Sequence, residues 1–317
     1  MMIRNKKILI FGSRGFIGSK FCEKISSKNI VIKPLFKKLK SNYINLNNFN
    51  SQKINYLIKK NNLDYILNFH AHTDVRYSNF NPRYDFFHNC SLTHSIIDAL
   101  IKNKSKAFFL NFGTVTQLGY TNIKSKINQS CKGKPITIFD LHKQYNEDYI
   151  SIHKNLFNLN TTTLRLSNVY GVGHSCSKNR GIINKIIDRA ISEKKITLYG
   201  NGNYVRDFIY LEDVIMGIIY ALKNCNKLHK DYYYLTTEIG KSFNDLAKII
   251  NSELFKIYKF TAKVKYNKWP STSTILDKRS FVGNSFLFKK ATRWKPKYSL
   301  RSAIRHYIHS KKLQTNK

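Results

Sequence analysis

Ile8-Leu9-Ile10-Phe11-Gly12-Ser13-Arg14-Gly15-Phe16-Ile17-Gly18 decides the fold. A short apolar run ending at glycine reads as a buried strand. Beyond Gly15, the residues Phe16, Ile17, Phe21 and Ile25 recur at helical spacing, so a helix follows the turn. Glycines at 12, 15 and 18 let the backbone turn tightly and approach a pyrophosphate. The helix N-terminus offers that anion unpaired N–H groups and the positive end of its dipole. The stretch is a dinucleotide site in this reading, with Gly12, Ser13, Arg14, Gly15, Phe16, Ile17 and Gly18 as its candidate contacts.

Working outward, further short apolar runs follow at Ile30–Ile32, Tyr65–Phe69 and Ala107–Phe112, with an amphipathic segment at Phe86–Lys102. Strand and helix alternating over the first half imply an α/β fold with a parallel, doubly wound sheet. The second half is less regular. It predicts a strand at Thr163–Leu166, helices around Ile182–Glu193, Asp213–Lys223 and Asp245–Asn251, loop at Asn42–Asn50, and a frayed end over Lys311–Lys317. No Pro/Gly/Ser linker divides the chain. Residues 1–170 are read as mainly the cofactor-binding part and 171–317 as mainly a smaller α/β substrate-binding part, interleaved with the first.

The chain has 317 residues, of which 42% are hydrophobic and 14% aromatic, which excludes a disordered tail or fibre. Lys and Arg number 55 against 18 Asp and Glu, giving a net charge of +37. Such a surface attracts nucleic acid, anionic lipid or phosphorylated small molecules alike. No RNA-binding motif accompanies the charge, and basic residues are spread throughout, so no specific nucleic-acid partner is expected. A general drift toward basic composition accounts for the surplus equally well. Five scattered cysteines without a CxxC argue against a disulfide framework or a metal site. No apolar run approaches a membrane span or a signal-peptide core, and a cytoplasmic location is expected.

NAD sites usually place an acid at the end of the second strand to hold the ribose hydroxyls. Here Ile32-Lys33-Pro34-Leu35-Phe36-Lys37-Lys38 has no acid. Lys33 and Arg14 lean toward the extra phosphate of NADP, with NAD still open.

Several spaced motifs line up over nearly the full length: Gly12-x-x-Gly15-x-x-Gly18; Asp64 through His70-Ala71; Ser78, Pro82 and Asn89; Gly113-Thr114; Phe139-Asp-Leu-His142-Lys143; Asn168-Val-Tyr-Gly; Arg206-Asp207 with Asp213; and Trp294-Lys-Pro296. In this order and spacing the chain resembles the extended short-chain dehydrogenase/reductases, specifically the NAD(P)-dependent nucleotide-sugar epimerase/dehydratase family. The resemblance implies a Rossmann-type sheet, a nicotinamide cofactor, a nucleoside-diphosphate sugar as substrate, and a homodimer built on the helices near Phe86–Lys102 and Lys143. His70 and Ala71 are then placed beside the cofactor, and Ser78, Thr114, Asn168 and Arg206 beside the substrate.

The family's chemistry oxidises a sugar hydroxyl. A Tyr takes the proton, a Lys four residues later lowers the Tyr pKa and holds the nicotinamide ribose, and a Ser or Thr steadies the sugar oxygen. By resemblance the Lys is Lys143 and the hydroxyl is Thr114, but the Tyr position is Phe139. A phenyl ring carries no proton. Another group such as His142, a water or the substrate can serve instead, the chemistry can be weak, or the protein can be a binder without turnover. The dehydratases' Asp-Glu pair after Thr114 is replaced by Val115-Thr116, which disfavours water elimination. Epimerisation or 4-keto reduction by hydride transfer is the leading expectation, and a catalytically weakened or inactive cofactor and nucleotide-sugar binder is the alternative.

Overall fold

In a computed structural model, residues 2–34, 50–119, 122–127, 131, 133–173, 181–270 and 275–315 are described. Six parallel strands form the central sheet, in the spatial order 232–235, 161–166, 108–114, 65–68, 7–11, 30–32. The strand Lys7–Phe11 has the next strand in sequence on one side and Tyr65–Asn68 on the other. Strand order reverses there, so a crevice opens beyond the carboxyl ends of these two strands, beside Gly12 and His70.

The sheet buries both faces, as a parallel sheet must. Alternation along the first strand sends Ile8 and Ile10 into one core with Phe21, Leu67, Leu110 and Ile218. It sends Leu9 and Phe11 into the opposite core with Ile66, Ile96, Ile97 and Phe109. The continuous apolar reading of the sequence is this two-sided burial.

The C-terminal half is interleaved with the sheet. Helix Leu211–Lys223 packs on the first face, and Tyr232–Leu235 is the outermost strand. A separate core joins Ile183, Ile187, Leu198, Ile250, Leu254 and Ile304. Around it lie a three-stranded sheet in the order 240–242, 205–210, 168–170 and the parallel pair 195–199 with 263–267. Asp207 and Asp213 are structural: Asp207 accepts from the N–H groups of Thr237, Glu238 and Gly283, and Asp213 from those of Lys297 and Tyr298.

Three local expectations need correction. The last turn is not frayed from Lys311, because helix Leu300–Thr315 continues through it, anchored by Tyr307 and Ile308 in the core. The amphipathic segment is two helices, Pro82–Phe86 and Leu92–Lys102, separated by a π turn at Phe87–Ser91. Helix Ser51–Asn61 has no clear signal in the sequence; Asn50 caps it by accepting from Lys53 N at 2.9 Å, and Asn62 closes it in the left-handed region at φ 42°. Most of Asn42–Asn50, the stretch Leu35–Lys38 and Cys176 lie outside the described residues.

Candidate active site

Gly12 follows the first strand with φ +75°, and a Cβ there would stand 2.5 Å from His70 N and 2.6 Å from Phe69 C. A Cβ on Gly18 would stand 2.3 Å from Gly12 O. The turn is thus closed by backbone against backbone, and glycine is obligatory at both positions. Gly15 caps helix Phe16–Ile25 with extended backbone, no side-chain cap and no acid in the first turn. The helix start therefore offers its N–H groups to an anion. Arg14 and Lys33 are both exposed, Arg14 in the turn and Lys33 just past the second strand. His70 and Ala71 lie in the segment after Tyr65–Asn68. Burial, with His88 and Lys143 nearby, lowers the His70 pKa to about 4, so its ring is neutral. These residues fit a dinucleotide.

Helix Ile138–Phe157 carries Phe139 and Lys143 one turn apart. Thr137 starts it by accepting from Asp140 N at 2.9 Å. Lys143 is 7% exposed; its ammonium donates to Phe112 O at 3.1 Å and lies 5.9 Å from the centroid of the Phe139 ring. Burial lowers its pKa to about 8, against the opposing pull of Cys90 and Asp85. Phe139 is itself buried.

Thr114 ends the strand Phe108–Thr114 and caps the turn Val115–Leu118. Its N–H donates to Gln117 Oε1 at 2.7 Å. Its hydroxyl lies 2.9 Å from the Thr116 hydroxyl, which donates to the fully buried Asp140 carboxylate. Arg279 Nη1 reaches the other Asp140 oxygen at 3.3 Å. Burial raises the Asp140 pKa above the ordinary carboxylate value, with Arg279 next and opposing.

Beside this group opens a cavity of about 550 Å³. Thr116, Asn168, Arg206 and Arg279 line it, together with Lys185, Arg189, Lys195, Tyr199, Tyr204 and Trp269. Tyr199 and Trp269 are stacked, with ring centroids 5.5 Å apart. Arg206 does not pair with Asp207 or Asp213; it donates to Val205 O and Asp277 O, each at 3.1 Å. Burial, with Arg279 adding to it, lowers its pKa to about 9. The guanidinium also lies 5.3 Å from the Phe281 ring centroid, and a buried guanidinium bonded to carbonyls rather than to a carboxylate favours an arriving anion.

Two sequence candidates turn to Asp85. Ser78 is fully buried, and its hydroxyl, which has one hydrogen to give, lies against Asp85 and 2.8 Å from Asp74 O. His142 Nδ1 lies 2.7 Å from Asp85 Oδ2. Asp85 also takes His72 at 3.3 Å and Asn89 at 2.9 Å, and these donors hold its carboxyl well below the ordinary carboxylate range. A buried carboxylate must find donors, and Ser78 and His142 are those donors. Sequence reasoning missed Asp85, Thr116 and Asp140 as members of the site. Asp140 stands next to Phe139, but nothing in the pattern says that its side chain turns toward Thr116.

The chain belongs to the NAD dependent epimerase/dehydratase family, whose model matches residues 8–235. It is 25% identical over 341 aligned residues to CDP-paratose 2-epimerase of Salmonella typhi, across 94% of this chain and 97% of that protein. The fold is that of the Thermotoga maritima UDP-glucose 4-epimerase solved with UDP-glucose, at a TM-score of 0.82 and 21% identity, covering 98% and 99% of the two chains. The Thermus thermophilus UDP-glucose 4-epimerase solved with NAD superposes at 0.77 with 18% identity, covering 96% and 98%.

Proposed function

We propose that the protein modifies a nucleoside-diphosphate sugar by reversible hydride transfer, as an epimerase or a 4-keto-sugar reductase. One pair of contacts supports this: Thr114 touches Thr116, which lines a cavity bearing arginines and lysines, and the buried Lys143 lies near His70, whose backbone closes the glycine turn. The glycine turn would hold the dinucleotide's pyrophosphate, and Lys143 its ribose. When bound, the nicotinamide supplies the hydride acceptor and donor. Arg206 and Asn168 would take the sugar's diphosphate, and Thr114 would accept a hydrogen bond from the reacting hydroxyl. Arg14 and Lys33 favour NADP through its extra phosphate. The absence of acids at 115 and 116 argues against dehydration. Phe139 favours a second reading, a binder with little turnover.

The test is nicotinamide absorbance and product analysis across UDP-, dTDP-, CDP- and ADP-hexoses and their 4-keto forms, with NAD and NADP compared. Conversion of at least one sugar, with NADP preferred, is expected. Tight cofactor binding without conversion of any would select the second reading.

A homodimer is part of the proposal. Leu141, Tyr145, Ile152 and Leu156 are exposed along helix Ile138–Phe157, with Phe86 beside them. Apolar residues in such a row call for a partner surface. Sedimentation is expected to give a dimer for the natural chain and a monomer for Leu156→Asp; a natural-chain monomer would remove this element.

A further inference from the structure

We propose that Thr114, Thr116 and Asp140 form a proton relay that replaces the missing tyrosine, with Asp140 as the terminal acceptor. This rests on the nucleotide-sugar reading above. Proton counting fixes the direction of the chain. A threonine hydroxyl has one hydrogen and two lone pairs. Thr116 spends its hydrogen on Asp140, so the 2.9 Å contact between the two threonine hydroxyls must be donated by Thr114. Thr114 Oγ1 accepts from Thr116 N at 3.2 Å, which leaves one lone pair for an incoming hydroxyl. The chain is therefore polarised from the substrate side toward the carboxylate.

The step balances. The sugar O–H bond breaks and its proton goes to Thr114 Oγ1. The Thr114 proton moves to Thr116 Oγ1, and the Thr116 proton to Asp140. The hydrogen on the sugar carbon leaves with its electron pair to the oxidised nicotinamide dinucleotide as the carbonyl forms. Both threonines end neutral and Asp140 ends as the acid. Return of hydride to either face reverses the chain.

Asp140 is suited to this task. It is fully buried, which favours its neutral form, and Arg279 at 3.3 Å keeps the starting carboxylate charged. Thr116, the middle member, lines the cavity with Thr114 in contact behind it at 2.9 Å, and the acceptor Asp140 is fully buried. Lys143 lies on the same helix; one of its three ammonium donors goes to Phe112 O, and as a cation it has no lone pair with which to take the proton. His142 is committed to Asp85.

The test is a cycle between the relay and Phe139→Tyr, which restores a direct base. In the natural chain, Thr116→Val and Asp140→Asn should each lower turnover about 100-fold, the worth of a positioned acid–base group. Thr116→Ser keeps the hydroxyl and should restore the loss. In the Phe139→Tyr background the same two substitutions should cost less than about tenfold. A residue that only supports the fold would cost the same in both backgrounds, and that result overturns the relay. Turnover only after Phe139→Tyr also overturns it while leaving the nucleotide-sugar reading intact. No turnover in either background overturns the nucleotide-sugar reading itself. Cofactor binding by fluorescence and melting curves check that each variant is folded. Carbon-13 NMR of the unliganded protein adds a readout independent of turnover. Asp140 should titrate above the ordinary carboxylate value and move higher in Thr116→Val; titration below that value overturns the relay.

Discussion

Gly12→Ala is expected to weaken dinucleotide binding by at least about 100-fold, equivalent to about 2.7 kcal/mol. Two independent costs combine. The residue holds φ +75°, where a side chain costs about 1–2 kcal/mol. Its Cβ would also meet His70 N at 2.5 Å, and that neighbour is backbone at the end of a sheet strand. Neither side can yield without moving the Tyr65–Asn68 strand against Lys7–Phe11. The melting temperature should fall as well, since the strain exists without ligand. Fluorescence titration with the reduced dinucleotide measures the first effect and calorimetry the second. Affinity within about threefold of the natural chain would show that the turn is not the pyrophosphate cradle.

Lys143→Met is expected to separate activity from stability in opposite directions. Turnover should fall by about 10²–10³, because a positioned cation beside the reacting centre is removed. Stability at neutral pH should rise. Burial lowers the Lys143 pKa in the folded chain to about 8 from an ordinary 10.5, so keeping it charged costs on the order of 3 kcal/mol. Loss of its bond to Phe112 O returns about 1 kcal/mol of that. The pH dependence has a definite sign. Between about 8 and 10.5 the unfolded chain holds a proton that the folded chain has released, so natural-chain stability rises with pH across that window. Below about 8 both states are protonated and the penalty is constant. The methionine variant should lack that rise. Denaturant unfolding at a series of pH values measures it, and an equal rise in both proteins would place the titration elsewhere.

These effects also show which parts of the molecule the sequence could reveal. The glycine turn was legible because strand, turn and helix are contiguous, and Gly12 and Gly18 are demanded by backbone within reach. The parallel sheet followed from alternation, and burial of Ile8 and Ile10 on one face with Leu9 and Phe11 on the other accounts for the unbroken apolar run. Lys143 and Phe139 were legible as a pair because one helical turn separates them. The relay was not. Thr116 and Asp140 are 24 positions apart, and their contact exists only once the strand Phe108–Thr114 and helix Ile138–Phe157 are docked. For the same reason the sequence does not show that Ser78 and His142 meet at Asp85. In sequence they stand near the right motifs, whereas in space they satisfy Asp85. The short strands of the C-terminal half escaped notice because their pairings, such as 195–199 with 263–267, lie far apart in the chain.

The charge is also redistributed by the fold. Of the 18 acids, six among the described residues are buried: Asp85, Asp140, Glu147, Asp207, Asp213 and Glu253. Each takes buried donors or a cation partner, as with Arg165 bidentate on Glu147 at 2.9 and 2.5 Å. A third of the acids are thus buried, against the four buried bases Lys143, Arg165, Arg206 and Arg279, so the surface is only slightly more basic than composition alone implies. The cavity draws on that surplus through Lys185, Arg189, Lys195, Arg206 and Arg279.

The central claim is hydride transfer on a nucleoside-diphosphate sugar by a site that lacks the tyrosine. Rapid-mixing absorbance of the dinucleotide-loaded protein against the hexose panel tests it most directly, with the natural chain and Phe139→Tyr run side by side. The account predicts a transient reduced-nicotinamide signal in the natural chain with at least one sugar. No signal from the natural chain with any sugar, at saturating cofactor, would contradict it, whether or not Phe139→Tyr gives one.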